Sequence, residues 1–428
     1  MPAAWSAVLP AAAASGGDPW RAFADPLLQG LVADALAANT DVLGAQAQLR
    51  RARAARDAAA AALQPVLNAS ASAGRSRTPP LATQNSVRAG FDASWEPDLF
   101  GANGHASAAA TADAEASAAS LAATRLAVAG EVALGYLQLR GTQARLVLAQ
   151  ANLAAQEETL QIARWRSQAG LATALDVAQA QSAVEQTRAQ VPTLQASAAQ
   201  SRHALAVLTG RPPAALESQL TSAVSLPEPP TGLGLDLPAS TLRRRPDVMA
   251  SERQLQAAAE RVAQKQAEKR PQLSLQGSLA WSALSLGSLG SSAAAASLRA
   301  GLSQPLFDGG ARDAALRQQE ATFDAARASY AASVLAALQD VEDSVAALNA
   351  ARQRLEALRT AEQAARDAAL LATQRYASGI VDFQVVLDTQ RTLLSVQDSA
   401  ASAQTDWVSG HVRVLKALGI APAEEKKS

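Results

Sequence analysis

The sequence predicts a mainly α-helical chain with membrane-type β-hairpins, built twice from one plan. Three observations carry this. The stretch Arg375-Tyr-Ala-Ser-Gly379-Ile380 is followed by Asp388 and Gln390, and an earlier stretch, Arg166-Ser-Gln-Ala-Gly170-Leu171, is followed by Asp176 and Gln181. In both, helical pattern runs into a glycine and resumes at once, which reads as the tip of a helical hairpin. Leucine and valine seams recur in both halves: Val132, Leu139, Leu146, Leu153 and Leu160 step by seven, and Val341, Leu348 and Leu355 lie 209 residues after the first three (341 minus 132). Finally, two pairs of segments alternate apolar and polar residues with the period of a strand, each near the roughly 9 to 11 residues that a tilted strand needs to cross a bilayer.

Bulk composition narrows the function classes. Among 428 residues only 4% are aromatic, and the 49% apolar share is dominated by alanine, which suits closely packed helices more than a thick globular core. Lysine plus arginine and aspartate plus glutamate both number 38, so no basic field exists to attract nucleic acid. Cysteine is absent, which removes disulfides, thiolate nucleophiles and cysteine-ligated zinc. His105, His203 and His411 are scattered, and no phosphate-binding glycine loop or nucleophile motif occurs, so neither metal, cofactor nor enzymatic chemistry is expected.

Taken in order, residues 1–30 hold Pro2, Pro10, Gly16, Gly17, Pro19 and Pro26 without a sustained period and are expected to run along the surface of a larger body. The first repeat, 31–210, starts with a helix over Leu31–Leu63 that ends before Pro65. A hairpin over 65–96 follows: Leu67, Ala69, Ala71 and Ala73 alternate with polar residues, then a loop with Pro79 and Pro80, then Val87, Ala89, Phe91, Ala93 and Trp95 alternate with Arg88, Gly90, Asp92 and Ser94. A helix over 103–168 and a return helix over 174–209, with a kink expected at Pro192, complete the repeat. A proline-rich linker, 211–245, carries no regular period. The second repeat, 246–419, has a helix, a hairpin over 271–305 with Leu273, Leu275, Leu279 and Trp281 on one face, and helices over 310–377 and 383–418. The tail, 420–428, is expected to be disordered.

Four strands cannot close a barrel, because the smallest single-chain membrane barrels use about eight and open edges are not tolerated in lipid. Insertion therefore demands an oligomer, and an open duct demands at least three protomers, since about eight strands leave an interior largely filled by side chains. The lipid-facing set is expected to be Val87, Phe91, Trp95, Leu273, Leu275, Leu279 and Trp281. The rival reading is a soluble or peripheral coiled-coil scaffold with the alternating segments as connecting hairpins.

Ser94-Trp-Glu-Pro-Asp-Leu-Phe-Gly101, Gln304-Pro-Leu-Phe-Asp-Gly-Gly310, Arg243-Arg-Arg-Pro-Asp-Val248, Leu205-Ala-Val-Leu-Thr-Gly-Arg-Pro-Pro213 and the two tip motifs occur in this order along nearly the whole chain. With them the chain resembles the TolC-like outer-membrane efflux ducts, specifically the lipoprotein branch that partners resistance-nodulation-division pumps. The resemblance implies a homotrimer in the outer membrane of a Gram-negative bacterium, with a twelve-stranded barrel, a twelve-helix periplasmic tunnel and passive export of drugs or other small molecules received from an inner-membrane pump through a periplasmic adaptor. It implies that Gly170, Leu171, Gly379 and Ile380 meet the adaptor. It places Asp388, Gln384, Asp176, Tyr376 and Arg375 at a gate: Asp388 in a carboxylate ring, Gln384 where a relative has a bulky apolar constriction, and Tyr376 with Arg375 in a hydrogen-bond network. Branch members have a leader and a lipid-bearing cysteine; the chain shows neither and is expected to be of mature length.

Overall fold

The computed structural model describes residues 20, 23–77, 83–222, 224–229 and 238–421. Helix α1 (Pro26–Ala38) opens with Pro26, whose missing N–H costs nothing in a first turn, behind Asp25, whose carboxylate accepts from the Leu27 and Leu28 amides at 2.9 and 3.1 Å. Asn39 then takes an extended conformation and its side chain accepts from the Asp41 amide at 2.9 Å, which starts α2 (Thr40–Ala61). The single helix expected over Leu31–Leu63 is thus two helices. The alanine-rich pattern runs unbroken across the junction, so only the capping side chain marks the break.

Strands β1 (Val66–Ser76) and β2 (Gln84–Trp95) form the first hairpin; Pro79 and Pro80 lie outside the described residues. Helix α3 (Ala102–Gln168) has 67 residues, about 100 Å at 1.5 Å per residue, and α4 (Ala174–Leu208) returns from it with Pro192 inside the helix. After a 3-10 turn at Pro213–Leu216 come short α5 (Glu217–Leu220) and α6 (Pro238–Arg244). Helix α7 (Pro246–Ala267), β3 (Gln272–Ala283), β4 (Ala294–Ser303), α8 (Ala311–Ala377) and α9 (Phe383–Ala417) repeat the plan.

The four long helices that end at a glycine all end alike. Leu171 N–H reaches the Arg166 carbonyl, Arg211 the Ala206, Ile380 the Arg375 and Ile420 the Leu415, all at 2.8–3.1 Å, while the glycine before each bonds three residues back. This is the Schellman arrangement, and it requires the positive φ of 70–74° found at Gly170, Gly210, Gly379 and Gly419.

Two compact units are distinguished, and neither follows the sequence repeats: each takes pieces from both. One contains the chain up to Ala45, Leu121–Pro246 and the residues from Val334 onward. Its interior holds the predicted seams, with Val132 and Leu139 fully buried, Leu160 nearly so, and Val341, Val345, Leu348 and Leu355 matching them in the second copy. Alanines such as Ala129, Ala133, Ala163, Ala337 and Ala403 fill the contacts between, allowing helices to approach closely.

This unit revises two expectations. Trp20, Phe23 and Leu28 are buried rather than laid on a surface, and the Trp20 indole donates to the Ile420 carbonyl at 2.8 Å. Residues 1–19 and 422–428 lie outside the described residues. The linker is also not featureless: Leu216, Leu220 and Leu242 are buried, and α3 clasps it through Gln143, which donates to the Leu220 carbonyl at 2.7 Å, and buried Arg140, which donates to the Ser222 carbonyl at 2.6 Å. Its leucines are too irregularly spaced among prolines to produce a period, yet each fills a site. Nearby, the Tyr136 hydroxyl donates to Asp25 at 2.6 Å, and burial first, the carboxylate second, push its pKa up to about 12.

The second unit, residues 46–120 and 247–333, holds the sheet. Its strands run β1-β2-β3-β4, every neighbour antiparallel. The two hairpins, one from each repeat, meet at β2 and β3, where Gly90 is forced: a Cβ there would lie 2.5 Å from the Leu279 carbonyl oxygen. Beside the sheet, α7 is tied to α3 by His105–Glu260 at 2.7 Å and by Arg261–Asp113.

Candidate functional site: a two-faced sheet and two helical tips

The strand register sorts the sheet's side chains. Phe91 lies opposite Ala69 and Leu279, Trp95 opposite Leu275, Ala89 opposite Ala71 and Trp281, Val87 opposite Ala73 and Ala283, and Leu273 opposite Leu302. Because side chains alternate along each strand, all these residues share one face. From Leu273 to Ala283 that face is uninterrupted by any charge; it ends at the Arg75–Asn85 pair beside the first hairpin loop. All seven expected lipid-facing residues, Val87, Phe91, Trp95, Leu273, Leu275, Leu279 and Trp281, lie on it.

The opposite face carries Asn68, Ser70, Ser72, Arg88, Asp92, Ser94, Ser274, Gln276, Ser278, Ser297 and Arg299. Ser70 donates to Asp92 at 2.8 Å and Ser278 meets Ser297 at 2.8 Å, so the polar face has cross-strand bonds of its own. Among the described residues much of the apolar face is uncovered, with Leu67 69% exposed, Leu298 84% and Leu302 70%, while Leu273, Leu275 and Trp281 are half-buried and the Trp95 indole donates to the Leu63 carbonyl at 3.1 Å. In water such a patch is unstable; against acyl chains it is at home. Its ten residue steps from Leu273 to Ala283 make about 34 Å of strand, or about 24 Å of thickness at a 45° tilt, the height of an outer-membrane apolar band. Trp95 and Trp281 stand toward opposite ends of the band, where ring and water both have access.

The two helical tips belong to the other unit. Leu160, Ala163, Ala180, Val184, Tyr376, Phe383, Val386 and Leu387 pack as one cluster, joining α3 and α4 to α8 and α9. Leu171 and Ile380, just past the tip glycines, are 68% and 72% exposed, large apolar side chains with no cover from the chain. At the first tip Thr173 and Asp176 form a capping box, in which Asp176 accepts from the Thr173 amide and hydroxyl at 2.8 and 2.9 Å. At the second tip Asp382 occupies the cap position without a side-chain bond.

Gln384 donates to Asp388 at 2.9 Å, both exposed one turn apart on α9. Tyr376 is buried, its ring 5.3 Å from Phe383, but its hydroxyl has no hydrogen-bond partner among the described residues. The residue that engages it is Arg166, not Arg375. The Arg166 guanidinium stacks 4.5 Å from the Tyr376 ring and donates to the Tyr376 carbonyl at 2.6 Å, whereas Arg375 is exposed. The expected Tyr376–Arg375 hydrogen-bond network is therefore replaced by a link from the first tip to the second. Arg166 and Arg375 are equivalents in the duplicated motifs, and only their chain context decides which one reaches the tyrosine. Burial raises the Tyr376 pKa and the nearby Arg166 charge opposes this. Among the described residues no group of three His, Cys, Asp or Glu side chains is placed to hold a metal.

The comparisons agree with this geometry. The family model for outer membrane efflux proteins matches residues 31–211 and 237–420. The chain belongs to the outer membrane efflux protein family. This efflux protein is 33% identical over 423 residues to the pyoverdine export outer membrane protein OpmQ of Pseudomonas aeruginosa, covering 94% of this chain and 86% of that one. It is 31% identical over 411 residues to the toluene efflux pump outer membrane protein TtgF of Pseudomonas putida, covering 94% and 85%. Its fold superposes on the solved outer-membrane channel OprN with a TM-score of 0.91 at 35% identity, covering 98% and 96%. The TolC-like fold, the outer-membrane location and the efflux-channel function implied by the sequence motifs are thereby established, and the scaffold reading is not favoured. The relatives are efflux components rather than enzymes.

Proposed function

We propose that three copies of this chain join sheets edge to edge into a twelve-stranded barrel, which, with the long helices, forms the passive exit duct of a tripartite efflux pump. The observation that carries the reading is the sheet: one face apolar from Leu273 to Ala283 and largely exposed, the other lined with serine, asparagine, glutamine and a few charges, and both outer strands, β1 and β4, without a partner among the described residues. Unpaired edges are not viable in lipid, and a closed ring of strands removes them. Closing the ring turns the polar face toward a water-filled bore.

The exposed tip residues Leu171 and Ile380, with Gly170 and Gly379, form the contact for a periplasmic adaptor, through which a resistance-nodulation-division pump delivers cargo. Asp388, Gln384, Asp176 and Tyr376 narrow the mouth near those tips; three copies of Asp388 around one axis attract cations and repel anions. Planar-bilayer recording of the purified protein tests both points. Discrete conductance supports the duct, and Asp388→Ala should raise it; a preparation that inserts without conducting would refute the duct, and an unchanged conductance in Asp388→Ala would remove that residue from the mouth.

A further inference from the structure

Between α3, α4 and α9 lies a cavity of about 600 Å³, within the range of small-molecule sites. Its walls combine the apolar Leu148, Leu194 and Leu394 with polar groups, and Pro192 sits on α4 within this wall, between lining residues Gln190 and Thr193. One of the polar groups is Gln156, only 6% exposed, whose side-chain oxygen has no hydrogen-bond partner among the described residues. Gln156 lines the cavity and its buried oxygen is left without a donor, which proteins avoid unless something else supplies the bond.

Duplication provides an internal control. The residue 209 positions after Gln156 is Ala365, that after Asn152 is Ala361 and that after Thr187 is Val396 (365 minus 156, 361 minus 152, 396 minus 187). At these three positions the sister hairpin uses apolar side chains, although Ala183, Gln186 and Gln190 correspond to Thr392, Ser395 and Ser399, so hairpin packing alone does not call for a glutamine at 156. At the rim, Arg391 makes no hydrogen bond or ion pair among the described residues, whereas Arg145 beside it is held by Asp398 at 2.6 and 3.0 Å. The charge left available at the rim is thus positive.

We propose that this cavity binds an amphiphilic organic acid bearing an N–H or O–H donor: the donor satisfies Gln156, the apolar body rests on the three leucines and the acid meets Arg391. Such a site in the wall goes beyond passive conduction and does not depend on it. Dansylglycine has the three required parts and a fluorescence that reports burial. Titrated into the full-length protein held in amphipol, it should bind saturably, one per chain. Gln156→Ala, which installs the sister copy's residue, should weaken binding about tenfold, the worth of one buried hydrogen bond.

Arg391→Gln, at an exposed position where folding is not at stake, should weaken dansylglycine several-fold yet leave dansylamide, which lacks the carboxylate, unaffected. Absence of saturable binding would mean that the cavity holds water only and would overturn the proposal. Equal affinity in wild type and both variants would overturn it too. Were Gln156→Ala to misfold, the comparison of the two probes on Arg391→Gln decides.

Discussion

Replacing Phe91 with arginine places a charge near the middle of the apolar face. Phe91 sits four residue steps from Trp95 toward one end and four from Val87 toward the other, with Ala69 and Leu279 beside it. If that face meets lipid, arginine at this depth costs about 2–4 kcal/mol per chain, equivalent to roughly a thirty- to several-hundred-fold loss in the folded-to-unfolded ratio. The matched control is Asn68→Arg, one residue before Ala69 on the same strand but on the polar face, opposite Asp92, where the new charge gains a neighbour of opposite sign. Guanidinium unfolding in phospholipid vesicles, followed by tryptophan fluorescence, measures both. The expected result is a large drop in midpoint for Phe91→Arg and none for Asn68→Arg. Equal losses, or tolerance of Phe91→Arg, would refute the assignment of faces.

Tyr376→Phe removes a buried hydroxyl that has no partner and should leave thermal stability unchanged or slightly raised, while Arg166→Gln, losing a stacked cation and a charged hydrogen bond, should cost about 2 kcal/mol by denaturant melts. Gly379→Ala forces a side chain into the left-handed region and should cost about 1–2 kcal/mol, read as faster amide exchange at the second tip. His411, buried on α9 with its Nδ1–H donating to the Trp407 carbonyl, has its pKa lowered by burial. Since the unfolded chain takes up this proton first, stability should fall as pH drops below about 6.5 until the folded-state pKa is passed, and His411→Gln should flatten that part of the profile in melts between pH 8 and 5.

Periodicity made the long helices, the strands and the duplication legible. Most seam residues are buried where their spacing places them, Leu146 and Leu153 being half-buried, and the alternation of Val87, Phe91 and Trp95 puts them on a common face. What was not legible depends on partners distant in sequence. The break at Asn39 rests on one capping amide within an alanine-rich run, and the linker leucines Leu216, Leu220 and Leu242 find sites that no local pattern announces. At the tips, the Arg166–Tyr376 link spans 210 residues, and the sequence offered Arg375, the immediate neighbour, with equal plausibility. The pattern did carry one unused signal: Gln156 stands at a level where the second copy has alanine, a mismatch between repeats that marks a position under some additional demand.

The four strands also constrain how the newly made chain can be handled by the cell. Each folded copy presents two sticky borders, β1 and β4, with rows of amides seeking partners. Head-to-tail joining closes a ring, but like-with-like joining, β4 against another β4, is antiparallel as well and yields a dead-end pair. Pairing with the wrong neighbour before the ring closes is therefore the step at which such an architecture is most exposed to failure.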